Sequence, residues 1–240
     1  MNPYRGCAHR CTYCYAQDVT RFELGRPWGD VCEVKANIVE VLKKELSKGS
    51  RGVYGIGTVT DPYQPLEERY QLTRGCLSAL KQKDASVSVL TKSPLVLRDM
   101  DLLRGWEGAE VGISIGSADA DVARVIEPGA PAPRGRFEAL AALSDAGVQV
   151  YLMAAPIVPG LSDTDDMLKM LVAEARAADV RKIMWDMYNP RPAAVARMRE
   201  ALSAAGLRQL RRAIPSDAVR VREILADACA EKGVELVPAF

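Results

Sequence analysis

The sequence predicts an α/β fold in which parallel strands carry helices on their outer face. Three observations lead there. Helical and strand-like patterns alternate along most of the chain. Polar, reactive residues cluster where the strand patterns end, as they do at the C-terminal face of a parallel βα sheet. The one Gly-x-Gly pair, Gly55 and Gly57, runs into Pro62 and Pro65 instead of a helix and lacks a third glycine, which excludes a dinucleotide-binding fold. Alternation alone does not separate a curled barrel from an open sheet.

Taken in order, a short strand is expected at the very N-terminus, followed by the loop that carries Cys7, Cys11 and Cys14. Residues 15–30 read as an irregular excursion with Gly25, Pro27 and Gly29, of the kind that lids a site. Residues 36–46 show helical spacing, with Ile38, Val41, Leu42 and Leu46 on one face, and residues 51–58, from Arg51 on, read as a strand. A helix over 68–81 and a β-branched strand over 86–90 follow. Pro94 opens a helix through Leu103, where a missing N–H costs least, before a strand over 109–115. A short helix over 119–126 gives way to Pro128, Pro131 and Pro133, which break the chain ahead of a helix over 137–146 ended by Gly147. Residues 148–154 form an apolar strand, Ser162 is expected to cap a helix to about Ala178, and 181–186 is the last strand of the series. Counting the N-terminal piece, that gives about six strands.

After Pro190 and Pro192 the pattern is helical, with a candidate closing strand over 233–237. The expected division is a core over 1–189 and a helical extension over 190–240 packed on it within one structural domain. Arg208, Arg211 and Arg212 fall on one helical face, read as a solvated one.

At 240 residues and 48% hydrophobic, the chain is long and apolar enough for one full core. Its 32 basic and 31 acidic residues balance to a net charge of +1, so whole-chain charge gives no support for nucleic acid, an acidic substrate or a membrane surface as partner. No apolar run reaches membrane-spanning length and the first residues lack the apolar core of a secretory signal, so a cytoplasmic location is expected. Cys32, Cys76 and Cys229 are scattered singly and read as buried or incidental thiols.

Cys7, Cys11 and Cys14 differ from these. Thiolates at short spacing grip soft or borderline metals, and a reducing compartment keeps them from pairing. Three thiolates on a four-iron cubane leave one iron with open positions, and an open position means chemistry. The alternative is structural zinc with His9 closing a tetrahedron, or an electron-transfer iron-sulfur module that binds a partner or nucleic acid without turnover. His9 is wedged midway between Cys7 and Cys11, whereas zinc sites draw ligand pairs from separate turns. The other strand ends add Thr58 to Pro65, Thr91-Lys92-Ser93, Ser114 and residues 155–160 to the same face.

Cysteine spacing of three then two, with Tyr13 before the last cysteine, resembles the signature of radical S-adenosylmethionine (radical SAM) enzymes. The chain is similar to the branch that includes spore photoproduct lyase and relatives labelled DNA repair photolyases. The carriers, within residues 2–186, are Asn2-Pro3-Tyr4-Arg5-Gly6-Cys7, Tyr13-Cys14-Tyr15-Ala16, Thr60-Asp61-Pro62-Tyr63-Gln64-Pro65, Thr91-Lys92-Ser93 and Glu127-Pro128-Gly129-Ala130-Pro131. The resemblance implies a partial (β/α)6 TIM-like barrel with a [4Fe-4S] cluster on Cys7, Cys11 and Cys14 at its mouth. It also implies S-adenosyl-L-methionine bordered by Tyr13, Tyr15, Thr60, Lys92, Ser114 and Ala155, and an external reductant of flavodoxin or ferredoxin type. By chemistry, Lys92 balances the methionine carboxylate and Thr60 or Asp61 accepts from the amine. Tyr13 and the backbone around Tyr15 and Ala155 flank the adenine, and Ser114 bonds the ribose or methionine part. The reaction expected is reductive cleavage of the cofactor to methionine and a 5′-deoxyadenosyl radical that takes hydrogen from a substrate. Tyr63, Gln64 and Asp186 are the substrate-side candidates. Two departures set the chain apart from true lyases. Thr58 stands near the position of their hydrogen-donating cysteine, and a threonine O–H bond is too strong for that task. Only six residues precede Cys7, as in a trimmed or naturally short chain.

Overall fold

The β-branched and apolar runs assemble into a six-stranded sheet in which every neighbouring pair is parallel. A computed structural model describes residues 1–20, 26–49, 52–206 and 215–239. Gly25, Arg51, Arg208, Arg211 and Arg212 lie outside the described residues. The chain opens with β1 (Tyr4–Arg5), the cysteine loop and α1 (Ala16–Thr20), then β2 (Glu33–Val34) and α2 (Ile38–Ser47). The repeating part follows: β3 (Val53–Ile56), α3 (Leu66–Tyr70), α4 (Leu72–Lys81), β4 (Ser86–Thr91), a 3-10 turn (Pro94–Asp99), α5 (Met100–Leu103) and β5 (Ala109–Ser114). Then come α6 (Ala120–Ile126), α7 (Pro133–Asp145), β6 (Gln149–Ile157), α8 (Asp165–Ala177), β7 (Lys182–Met187), α9 (Pro192–Ala204), α10 (Pro215–Lys232) and β8 (Glu235–Pro238).

Each strand from β3 to β8 pairs with the next in sequence, and β3 and β8 remain as two edges. Consecutive parallel strands joined by crossovers of one hand curl a sheet with the helices outside, and the unjoined edges make this barrel partial. The core lies between strands and helices, where Val89, Val111, Ile113, Leu152 and Ile183 meet Leu77, Leu140, Leu171 and Val172.

Among the described residues the main sheet has six strands, but not the six expected. β1 is not among them: Tyr4 and Arg5 pair antiparallel with Val34 and Glu33 in a separate two-stranded sheet. Met1 does touch the β3 edge, its amino group donating to the Gly55 carbonyl and its carbonyl accepting from Gly57 N. The sixth strand is β8, which pairs with β7 from Lys182 opposite Glu235 to Trp185 opposite Pro238. The segment after residue 190 is therefore more than a helical extension.

Other departures have local causes. The helix expected over 68–81 is two, broken at Gln71, whose left-handed backbone (φ 49°) ends α3 and starts α4. Pro133 does not break α7 but opens it at the first position, where its missing N–H is free of cost. Thr164, not Ser162, caps α8 by accepting from Met167 N, because the Ser162 hydroxyl is taken by Val158 N. The excursion after Tyr15 contains α1 instead of being irregular throughout.

Candidate functional site

The C-terminal strand ends open onto one cavity of about 210 Å³ beside the cysteine loop. Two turns shape that loop: Arg10 N donates to Cys7 O (3.2 Å) and Cys14 N to Cys11 O (3.1 Å). Neighbouring elements hold it from both sides. Thr60 Oγ1 (2.6 Å) and Gln64 Nε2 (3.3 Å) donate to Gly6 O, and Gln64 Oε1 accepts from Ala8 N (2.9 Å). On the far side Thr12 N donates to Ile126 O (2.8 Å), and Gly129 N to His9 O (2.9 Å).

All three loop cysteines line the cavity, Cys7 and Cys11 buried and Cys14 half-buried. Burial pushes each thiol up, Cys7 well above its usual range and Cys11 to about 12. Lys92 works against that shift at Cys11, and Lys92 with Arg197 does so at Cys14. Loading a metal must therefore release protons here, and the nearby cations favour that release.

Tyr13, Tyr15, Thr60, Asp61, Lys92, Ser114, Ala155 and Asp186 are brought to the same cavity. Lys92 is not a surface lysine. Its Nζ donates to Ser114 Oγ (2.8 Å), stands 3.8 Å from Glu127 Oε1 and lies 5.6 Å from the centre of the Tyr13 ring. Ser114 passes the chain on by donating to Ala155 O (3.1 Å). Burial opposes charge on Lys92, but Glu127, Cys11 and Asp61 together outweigh it and the ammonium is held above its usual range. Tyr13 O–H and Arg136 both bond Glu127, and Arg136 Nη1 also donates to Ser114 O (3.0 Å). Two buried cations, Lys92 and Arg136, thus face the Glu127 carboxylate, and of the three Lys92 is the one that lines the cavity. Tyr15 crosses the rim, donating from its hydroxyl to Thr58 O (2.6 Å).

Asp61 is spent differently from the expectation. It accepts from Tyr63 N (2.8 Å), Thr91 Oγ1 (2.6 Å) and Lys92 N (2.7 Å), with His9 Nδ1 3.3 Å away. Burial alone would raise its carboxyl, but His9, Thr91 and the Lys92 amide hold it down to about 2. Tyr63 and Gln64, the other substrate-side candidates, do not line the cavity. Tyr63 is buried with its O–H on Asp99 Oδ2 (2.9 Å), and Gln64 is fully buried under the cysteine loop. The turn that Asp61 builds points both inward. Asp186 does line the cavity at the end of β7, where burial raises its carboxyl.

His9 is buried against Asp61 instead of facing the cysteines as a fourth ligand. Among the described residues no three His, Cys, Asp or Glu side chains converge on a single ion. Cysteines of a cubane each take a different iron and need not converge, so the donor set fits a cluster better than one zinc. Sequence reasoning missed Glu127 and Arg136. Glu127 had a signal, the Glu-Pro-Gly-Ala-Pro run, whereas nothing in the sequence marks Arg136, within a helix, as buried.

Residues 1–174 match the family described as the Radical SAM superfamily. An uncharacterised protein of Methanocaldococcus jannaschii is 37% identical over 165 residues, 69% of this chain and 62% of that protein. One of Mycobacterium tuberculosis is 36% identical over 188 residues, 74% of this chain and 55% of its own length. The chain thus spans less than two thirds of the length of these curated relatives. A Pseudomonas phage M6 protein described as a radical SAM Nalpha-GlyT isomerase is 25% identical over 82% of this chain and 41% of its own. Among solved structures, a spore photoproduct lyase mutant superposes with a TM-score of 0.70 at 17% identity, covering 99% of this chain and 76% of the lyase. Streptococcus suis SuiB bound to S-adenosylmethionine gives 0.70 at 12% identity, covering 100% of this chain and 49% of SuiB. These likenesses show the same partial barrel.

Proposed function

This chain belongs to the radical SAM superfamily, and from that premise we propose an enzyme that holds a [4Fe-4S] cluster on Cys7, Cys11 and Cys14 and S-adenosyl-L-methionine across the adjoining strand ends. One observation carries the reading: three thiols and the buried ammonium of Lys92 meet at one cavity. When bound, the cluster and cofactor supply reductive cleavage of the sulfonium and hydrogen abstraction from a substrate.

The chain's own residues bind, orient and exclude water. Cys7, Cys11 and Cys14 give up protons and bind iron. Lys92, held upright by Ser114 and Glu127, pairs with the methionine carboxylate. Thr60 is committed to Gly6 O and Asp61 to its own turn, so their part is to fix the floor under the cofactor. Tyr13 and Ala155 line the wall that the adenine and ribose meet, and Tyr15 covers the rim. Asp186 stands at the substrate side of the cavity. Electrons come from an external reductant of flavodoxin or ferredoxin type. The solved neighbours include a lyase complexed with dinucleoside spore photoproduct and SuiB bound to a precursor peptide, so the scaffold does not choose the substrate class. Among the described residues no helix is long and apolar enough to cross a membrane.

Anaerobic reconstitution with iron and sulfide, followed by dithionite and S-adenosylmethionine, tests the proposal. Brown absorbance, about four irons per chain and dithionite-dependent 5′-deoxyadenosine are expected. A colourless chain with one zinc would refute it.

A further inference from the structure

We propose that Arg197, on α9 and outside the stretch matched to the family, is a positioning residue of the cluster site: it fixes the last cysteine turn and biases the cluster toward its reduced state. The inference rests on the cluster reading above and adds to it a residue from the C-terminal part of the chain.

The observations are geometric. α9 is stitched to the segment from Thr12 to Asp18 at successive turns of one helical face. Ala193 N donates to Asp18 Oδ1 (3.3 Å). One turn on, the Arg197 guanidinium donates from Nη2 to Cys14 O (2.6 Å), from Nε to Thr12 O (3.3 Å) and from Nη1 to Gln17 Oε1. Next to it, Met198 is fully buried with its sulfur 2.8 Å from Thr12 Oγ1. Trp28 covers the guanidinium, its ring centre 5.9 Å from Cζ.

A rigid planar fork is suited to this task. It satisfies two loop carbonyls and a side-chain oxygen at once, which a single ammonium on a flexible stem cannot do. The loop around Cys14 has no helix or sheet to hold it until α1 begins at Ala16, so its carbonyls depend on such a partner. Charge adds a second effect. Reduction places one more electron on the cluster, and a fixed, half-buried cation bonded to the Cys14 carbonyl stabilises that form relative to the oxidised one. The gain is electrostatic, so it follows the charge, whereas loop fixation follows the fork.

Separate substitutions therefore divide the two effects. In the anaerobically reconstituted full chain, Arg197→Gln should lower the midpoint potential by about 59 mV, a tenfold shift for a one-electron couple, and speed iron loss to a chelator roughly tenfold. Arg197→Lys should keep the potential near that of the wild type yet still lose iron several-fold faster. A wild-type potential in a cluster-loaded Arg197→Gln protein, or wild-type iron retention in Arg197→Lys, would overturn the proposal. Should neither variant fold, the wild-type chain decides: loading the cluster should slow amide exchange along Pro192–Ala204, and unchanged exchange there would equally overturn it. A wild-type chain that takes up no cluster at all refutes the proposed function instead, before Arg197 is in question.

Discussion

In the proposed function, Lys92 is the residue on which cofactor binding turns. Lys92→Met should preserve fold and cluster, because Glu127 keeps Arg136 and the Tyr13 hydroxyl as partners. It should weaken S-adenosylmethionine by about 2 kcal/mol or more, since a desolvated carboxylate loses its counter-charge. Titration of the cluster's spectral change with cofactor reads this directly, and an unchanged affinity would remove Lys92 from the site. Cys7→Ala, Cys11→Ala and Cys14→Ala should each abolish the iron-sulfur absorbance, while Cys32→Ala, Cys76→Ala and Cys229→Ala leave it intact; full absorbance in Cys11→Ala would undo the ligand assignment. Asp61 makes a pH prediction. Its carboxyl is held near 2 in the folded chain against about 3.9 when unfolded, so the stability it adds is present above the unfolded value and lost as pH falls through the folded one. Asp61→Asn should flatten the apo-protein's stability profile between about pH 4 and 2, an effect of about 2–3 kcal/mol; an unaltered acid limb in urea melts would contradict it. At this scale the cysteine spacing and the strand-end position of Lys92 were legible, because both are local in sequence. What Asp61 bonds was not, since a carboxylate after Thr60 serves a turn or a ligand equally well until the fold aims it.

At the scale of elements, the cysteine loop is a clasp between two other loops, and Gly129 is where they touch. A Cβ there would press on the carbonyl oxygens of Ala8 and His9, 2.9 Å from the second, and Gly129 N supplies the bond to His9 O. Gly129→Ala should leave the sheet folded but part the clasp, giving incomplete iron loading and faster loss of iron to chelator. Full loading with wild-type retention would mean the loops are independent. The Glu-Pro-Gly-Ala-Pro run was visible as a motif, but its work was hidden: Glu127 reaches Lys92 and Tyr13, and Gly129 reaches Ala8 and His9 in the cysteine loop, through contacts that no periodicity reports. The helices and strands themselves were legible because burial on one face imposes a period. Their ends were less so. The Gln71 break and the choice of Thr164 over Ser162 depend on which backbone groups other elements have already satisfied.

At the scale of the molecule, the expected boundary near residue 189 makes a prediction of its own. β8 completes the sheet beyond β7, and α10 packs along α8, burying Val221, Leu225 and Cys229 in the main core. Arg220 locks the two helices, its Nη2 donating to Asp163 Oδ2 (2.8 Å) and its Nη1 lying 3.1 Å from Asp165 Oδ1. Burial of Val221 and Leu225 alone is worth about 1.5–3 kcal/mol each, or about 3–6 kcal/mol together, before the apolar face of α8 that α10 covers is counted. That already reaches the lower end of the whole stability of an ordinary domain, about 5–15 kcal/mol. A fragment ending at residue 189 would uncover the face of α8 on which α10 packs and leave β7 as an edge strand. It should therefore fail to give a cooperative thermal transition by circular dichroism and should bind a hydrophobic dye, although it contains every predicted cluster and cofactor residue. A sharp melt and full cluster loading in that fragment would show that the sheet closes without β8. The strand pattern over 233–237 hinted at this dependence, but only the pairing of β8 with β7 reveals that the last strand of the barrel comes from the last residues of the chain.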